Sequence, residues 1–105
     1  MKVTIMANIA WRWGQSPRGK YIAICDALAQ TVQADTFEEL THCMHEAVEN
    51  TFQELLETDD LDEFLKEHKW KATSSIPKQK KRVSFDVPFD LKRVKHSDLK
   101  ATLCA

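Results

Sequence analysis

The sequence predicts an α+β protein: a three- to four-stranded, mainly antiparallel sheet with one long helix packed on a face, in the order β-β-β-α-(α)-β. Three observations predict it. Residues 3–13 alternate apolar and polar side chains, the period-two signature of a strand with one buried face. Tyr21-Ile22-Ala23-Ile24-Cys25 and then residues 28–34 are extended in pattern on either side of an Asp26-Ala27 break. Asp35-Thr36-Phe37-Glu38-Glu39 then opens a helix, because Thr36 can accept from the backbone N–H of Glu39 while the Glu39 carboxylate reaches back to the N–H of Thr36.

Taken in order, Val3, Ile5, Ala7, Ile9, Trp11 and Trp13 share one face of a long first strand, with Met6 and Ala10 as apolar exceptions on the other. Gly14 to Gly19 holds both glycines of the chain and a proline, and reads as a hairpin loop. Tyr21–Cys25 returns antiparallel, and Leu28–Ala34 makes the third strand of a meander. The helix, Phe37 to about Glu57, is expected to bury Leu40, Met44, Ala47, Val48, Thr51 and Leu55, a stripe at three- and four-residue spacing. His42, His45, Glu46, Glu49 and Gln53 then face water. A second helix over 61–68 offers Leu61, Phe64 and Leu65 to the same core, and Trp70 closes it.

Residues 74–81 are small and polar, then basic, and read as a linker between a 1–73 core and an 82–105 strand and tail. Val83, Phe85, Val87 and Phe89 lie on one side of that last strand, and Pro88 puts its far end at an edge. Residues 97–103 close with one or two helical turns. An apolar edge strand pairs either in its own sheet or in that of a second copy, so Val83, Phe85, Val87 and Phe89 are candidate dimerisation residues, and a homodimer is expected.

A chain of 105 residues, 43% hydrophobic and 30% charged, has the length for one core and the composition of a folded, soluble protein rather than a disordered one. No apolar run is long enough to span a membrane, and residues 1–5 alternate like a strand, unlike a signal peptide. Cys25, Cys43 and Cys104 are odd in number and unrelated in spacing, which points to reduced thiols and a cytoplasmic location. The net charge of −1 hides a segregation. Eleven of the sixteen acidic residues fall between Asp35 and Glu63, no Lys or Arg occurs between Tyr21 and Leu65, and eleven Lys or Arg follow from Lys66 onward. An acidic middle attracts a basic partner, and Glu46, Glu49, Asp59 and Asp60 are the candidate partner-binding residues.

Other chemistry finds little support. His42 and His45 stand at metal-ligand spacing on a helix, but neither completes a set of four, and no metal or other cofactor is expected. Asp35, Glu38 and Glu39 are accounted for by the helix N-terminal dipole. There is no phosphate loop, nucleophile elbow or Cys/His pair in a recognisable context, so no catalytic residues are assigned and the protein is not expected to be an enzyme. Lys78, Lys80, Lys81 and Arg82 form a point-charge patch that supports an alternative, a nucleic-acid-associated regulator. The residues after Phe89 are too few for the two helices of a ribbon-helix-helix, so sequence-specific DNA reading is not expected.

The Tyr21–Glu39 stretch resembles the N-terminal domain of the HicB antitoxin family of bacterial toxin–antitoxin systems. Tyr21, Ala23, Cys25, Asp26, Leu28, Val32, Asp35, Thr36, Glu38 and Glu39 stand where members carry a tyrosine, alternating apolar residues, an acidic turn, a leucine, a valine-centred strand and an Asp-Thr helix start. The resemblance covers about residues 3–56. Ala29-Gln30 replaces the usual Pro-Gly after the leucine, and Ala34 the glycine before Asp-Thr. The resemblance implies a partial ribonuclease-H-like fold without catalytic carboxylates. It also implies that the protein binds and occludes HicA, a small basic toxin ribonuclease. The family's repressor activity is not implied, because the chain lacks the usual C-terminal DNA-binding segment.

Overall fold

The N-terminal alternation is interrupted once. In a computed structural model that describes residues 2–73 and 83–103, residues 7–9 leave the extended pattern and the expected long strand is two, β1 (Lys2–Met6) and β2 (Ala10–Gln15). Of the expected buried face, Val3, Ile5, Ile9 and Trp11 are each at most 1% exposed, while Ala7 and Trp13 are half-buried. The break arises because the two strands serve different sheets. There follow β3 (Tyr21–Cys25), β4 (Gln30–Ala34), α1 (Phe37–Glu57), α2 (Leu61–His68), β5 (Lys71–Ala72), β6 (Ser84–Asp86), β7 (Asp90–Arg93) and α3 (His96–Leu103). The class is α+β, with a three-stranded sheet ordered β5-β1-β6 and a four-stranded sheet ordered β4-β3-β2-β7. Both sheets are mixed, because β6 lies parallel to β1 and β7 parallel to β2.

The chain divides into two compact units, formed by the described residues of Met1–Asn8 with Val48–Phe89, and of Ile9–Ala47 with Asp90–Ala105. In the second unit the expected meander is present: Arg12 pairs with Ile24, and Tyr21 with Ala34. The β2–β3 loop is closed by Ser16 N–H to Lys20 O at 2.8 Å and Gly19 N–H to Ser16 O at 2.9 Å, with Gly19 at φ +87°. Gly14 is not part of that loop. It lies within β2 opposite Ile22, where a Cβ would stand 2.8 Å from the Val94 carbonyl oxygen and 2.9 Å from Leu99 Cδ1. The glycine is there so that α3, whose Leu99 is fully buried, can lie close to the strand.

The third strand starts later than the pattern suggests. Residues 26–29 form a turn, closed by Ala29 N–H to Asp26 O at 3.3 Å, and Leu28 is buried within it. Ala29 has φ 53°, a left-handed backbone that a Cβ disfavours. Helix α2 ends similarly: Lys69 at φ 60° donates to Lys66 O, and Trp70 N–H reaches back to Leu65 O at 2.8 Å, a Schellman motif without its usual glycine. Ala29→Gly and Lys69→Gly are therefore each expected to raise unfolding stability by about 0.5–1 kcal/mol, read as a higher urea midpoint at unchanged slope. A lower midpoint at either position would show that the turn tolerates its side chain without strain.

Helix α1 has the expected bounds but a different buried stripe. Leu40, Met44, Val48, Phe52 and Leu56 are buried, each four residues after the last, while Ala47, Thr51 and Leu55 are only half-buried. A step of four residues overshoots a full turn by about 40°, so the stripe winds round the helix instead of running straight. That drift exchanges Thr51 and Leu55 for Phe52 and Leu56. In the first unit Phe52 is the centre of an aromatic cluster, with ring centroids 5.8 Å from Phe85, 6.2 Å from Phe64 and 6.5 Å from Trp70. Val83, Phe85 and Val87 are buried in the same chain, and Phe85 is paired with Val3. The last strand is thus used within its own chain, and Pro88 sits between β6 and β7, where a missing N–H interrupts the ladder.

Candidate functional site

The second unit contains a groove of about 510 Å³ where β4 runs into α1, lined by Lys20, Gln33, Ala34, Asp35, Glu38, Glu39, His42 and Cys43. Its shape follows from the helix start. The Thr36 hydroxyl accepts the Glu39 N–H at 3.1 Å, and the Thr36 carbonyl accepts the Leu40 N–H at 3.0 Å. This turns Glu38 and Glu39, in the first turn of α1, outward beside Asp35. The carboxylates are placed where the positive end of the helix dipole favours them. Lys20 Nζ lies 3.0 Å from Asp35 Oδ1, and His42 Nε2 lies 3.0 Å from Glu46 Oε1 one turn further on. The groove has a largely apolar floor with three carboxylates on it, Asp35, Glu38 and Glu39, the first of them already paired with Lys20.

An aromatic group flanks it in sequence. Phe37, the first residue of α1, is 37% exposed for all its size, and its ring centroid is 4.7 Å from Trp13 and 6.2 Å from Tyr21. Arg93 stands over Trp13 at 5.4 Å from the ring centroid, a cation–π contact. Sequence patterning missed these residues as a group. Trp13 and Tyr21 come from the two strands of a hairpin and Phe37 from a helix start, so only the strand register brings them together.

Glu46, Glu49, Asp59 and Asp60 are all exposed, as are the other seven acidic residues between Asp35 and Glu63. They do not form a cluster. Glu46 and Glu49 share a face of α1, whereas Asp59 and Asp60 lie beyond the end of that helix at Glu57. Asp59 and Asp60 also have backbone duties: Asp59 takes φ 62° past the end of α1, and Asp60 donates its N–H to Leu55 O at 2.9 Å and accepts the Phe64 N–H at 3.0 Å. Of the proposed dimerisation residues, Val83, Phe85 and Val87 are buried in the chain and Phe89 is half-buried. Lys78, Lys80, Lys81 and Arg82 lie outside the described residues. A second groove, of about 700 Å³, is lined by Gln15, Lys92, Arg93, Val94, Lys95, His96 and Asp98, a basic surface that alternation patterns do not reveal.

Among the described residues no three His, Cys, Asp or Glu side chains gather as a metal set, and no helix is long and apolar enough to cross a membrane. Cys25 is fully buried; burial pushes its thiol pKa up, against the lowering effect of the Leu28 and Ala27 backbone. A thiol kept protonated in the core packs as a small hydrophobe. Comparison with known proteins finds no matching family model, no matching curated protein and no matching solved structure.

Proposed function

We propose that this chain is a non-enzymatic, HicB-like antitoxin or orphan relative that binds a small basic protein, a toxin ribonuclease of the HicA class, and covers its active surface. The observation that carries the reading is that all eleven carboxylates between Asp35 and Glu63 are exposed, in a stretch without a single Lys or Arg. The HicB resemblance of Tyr21–Glu39 supports it, as does the groove of carboxylates at the start of α1. Such a surface speeds encounter with a basic partner and selects it, while affinity comes from a few apolar anchors. Phe37, exposed at the start of α1, supplies one. A homodimer belongs to the same reading, and formed through Val83, Phe85 and Val87 it would have to displace side chains already buried in the chain.

The test is co-expression with the product of any small basic reading frame that neighbours this gene, followed by purification of the complex at low ionic strength. Glu46→Lys with Glu49→Lys is expected to weaken the complex about tenfold, mainly through slower association. A complex that never forms at low salt overturns the reading. An affinity unmoved by the double reversal moves the contact away from α1.

The basic groove at β7 and α3 favours a second reading, nucleic-acid association, which the Lys78, Lys80, Lys81 and Arg82 segment would extend. It predicts binding to duplex DNA that weakens steeply with salt and is reduced by neutralising Lys80 and Lys81. No mobility shift at low salt removes it.

A further inference from the structure

We propose that β7 is a self-pairing edge: two copies of the chain join antiparallel through Asp90–Arg93, centred on Leu91, to make one eight-stranded sheet. The proposal takes up the dimer of the reading above, places it on a different strand, and stands without the basic partner.

Strand β7 is the last strand of the β4-β3-β2-β7 sheet, and all four of its residues are exposed. Its backbone polarity is set by two hydrogen bonds, Asp90 N–H to Ile9 O at 2.9 Å and Val94 N–H to Trp13 O at 2.8 Å. Backbone groups alternate in direction along a strand. Asp90, Lys92 and Val94 therefore face β2, and the N–H and C=O of Leu91 and Arg93 point outward from the edge. Leu91 is also one of the few large apolar side chains left exposed, at 41%.

Symmetry then selects the register. A two-fold axis relating adjacent antiparallel strands stands perpendicular to the sheet, so opposed residues must share a face. The centre of pairing can only be a residue. At Lys92 it would oppose like charges and would use backbone groups already turned toward β2. At Leu91, the outward N–H and C=O meet their symmetry equivalents as a hydrogen-bonded pair, and Leu91 lies against Leu91 of the partner subunit. Asp90 then faces Lys92 of the partner subunit, and Lys92 faces Asp90 of the partner subunit. Charged residues on an edge ordinarily keep sheets apart; here the two charges have opposite sign at the one spacing that turns them into complementary pairs. The other edge of this sheet, β4, reads Gln30-Thr31-Val32-Gln33-Ala34 and offers no such pairing.

Four-residue strands bury far less than a standard interface, so the dimer is expected to form and dissociate over an accessible concentration range. Sedimentation velocity on the full chain, without any partner protein, across roughly a hundredfold dilution tests it. The wild type is expected to pass from dimer to monomer on dilution. Lys92→Asp should weaken the dimer at least about tenfold by opposing two acids, and the exchange Asp90→Lys with Lys92→Asp should restore it. Leu91→Pro removes only an outward N–H, leaves the β2 ladder intact, and should abolish dimerisation with an unchanged far-ultraviolet spectrum. A wild type that stays monomeric throughout, or a dimer indifferent to Lys92→Asp, overturns the proposal. A charge exchange that stays folded and fails to restore association overturns the register.

Discussion

Phe52→Ala is expected to remove about 3–5 kcal/mol of folding free energy, the range for emptying a fully buried aromatic site. The side chain is 0% exposed and touches three further rings, Phe64, Trp70 and Phe85, drawn from α2, the segment after it and β6. Those rings cannot all collapse into one cavity, because each is held by its own element. A domain of this size has about 5–15 kcal/mol in total, so the variant should be partly unfolded at moderate temperature. Urea titration followed at Trp70 gives the loss; Phe52→Leu, which keeps most of the volume, should cost about 1.5 kcal/mol or less. A loss for the alanine variant no larger than that of the leucine variant would show that the cluster is not held together at Phe52.

Gly14→Ala is the second large effect, and its sign is opposite to the general rule. In an ordinary extended position, replacing glycine by alanine stabilises by about 0.4–1 kcal/mol by restricting the unfolded chain. At Gly14 the new methyl would meet the Val94 carbonyl oxygen at 2.8 Å and Leu99 Cδ1 at 2.9 Å. The side-chain contact can rotate away, but the carbonyl cannot do so cheaply, since the Val94 N–H is held by Trp13 O at 2.8 Å. Overpacking of this kind costs about 1–3 kcal/mol, and α3 should lift from the sheet and become sensitive to protease. Adding Leu99→Ala relieves one of the two clashes and leaves the other, so it should not restore stability. Full recovery in the double variant would mean that the leucine alone had required the glycine.

These two residues also mark where sequence reading stops. Elements with strong local signals have the expected bounds: Tyr21–Cys25 by alternation, Phe37–Glu57 by its cap, Leu61–His68 by its spacing. Phe52 was hidden because a stripe stepping by four winds round the helix, and a straight stripe assigns its place to Thr51. Gly14 was hidden because a glycine beside a loop looks like part of the loop, whereas its role depends on a helix eighty residues later in the chain. Strand β5 has two residues and is held by Ile5 and Met6, and β7 is exposed at every position. Neither has an alternation to detect. The acidic surface could be read as composition, but the aromatic group of Phe37, Trp13 and Tyr21 depended on strand register. Ala29 was hidden for another reason: its left-handed backbone carries an alanine, which gives no signal of the turn in the sequence.

The pairing of Lys2 with Ser84 and of Ala10 with Asp90 has a consequence for how the chain is made. Each unit is assembled from two separated stretches, one early and one late, and the stretches of the two units interleave. During synthesis the hairpins and α1 emerge first, but β1 and β2 must wait for β6 and β7, so both sheets close only after residues 84–93 have emerged. Contacts so distant in sequence also make folding slow for the chain's length. Any contiguous stretch that contains all of one unit therefore also carries part of the other. Fragments ending before residue 84 should accumulate with one edge of each sheet open, and they are the species most exposed to aggregation and proteolysis in the cell.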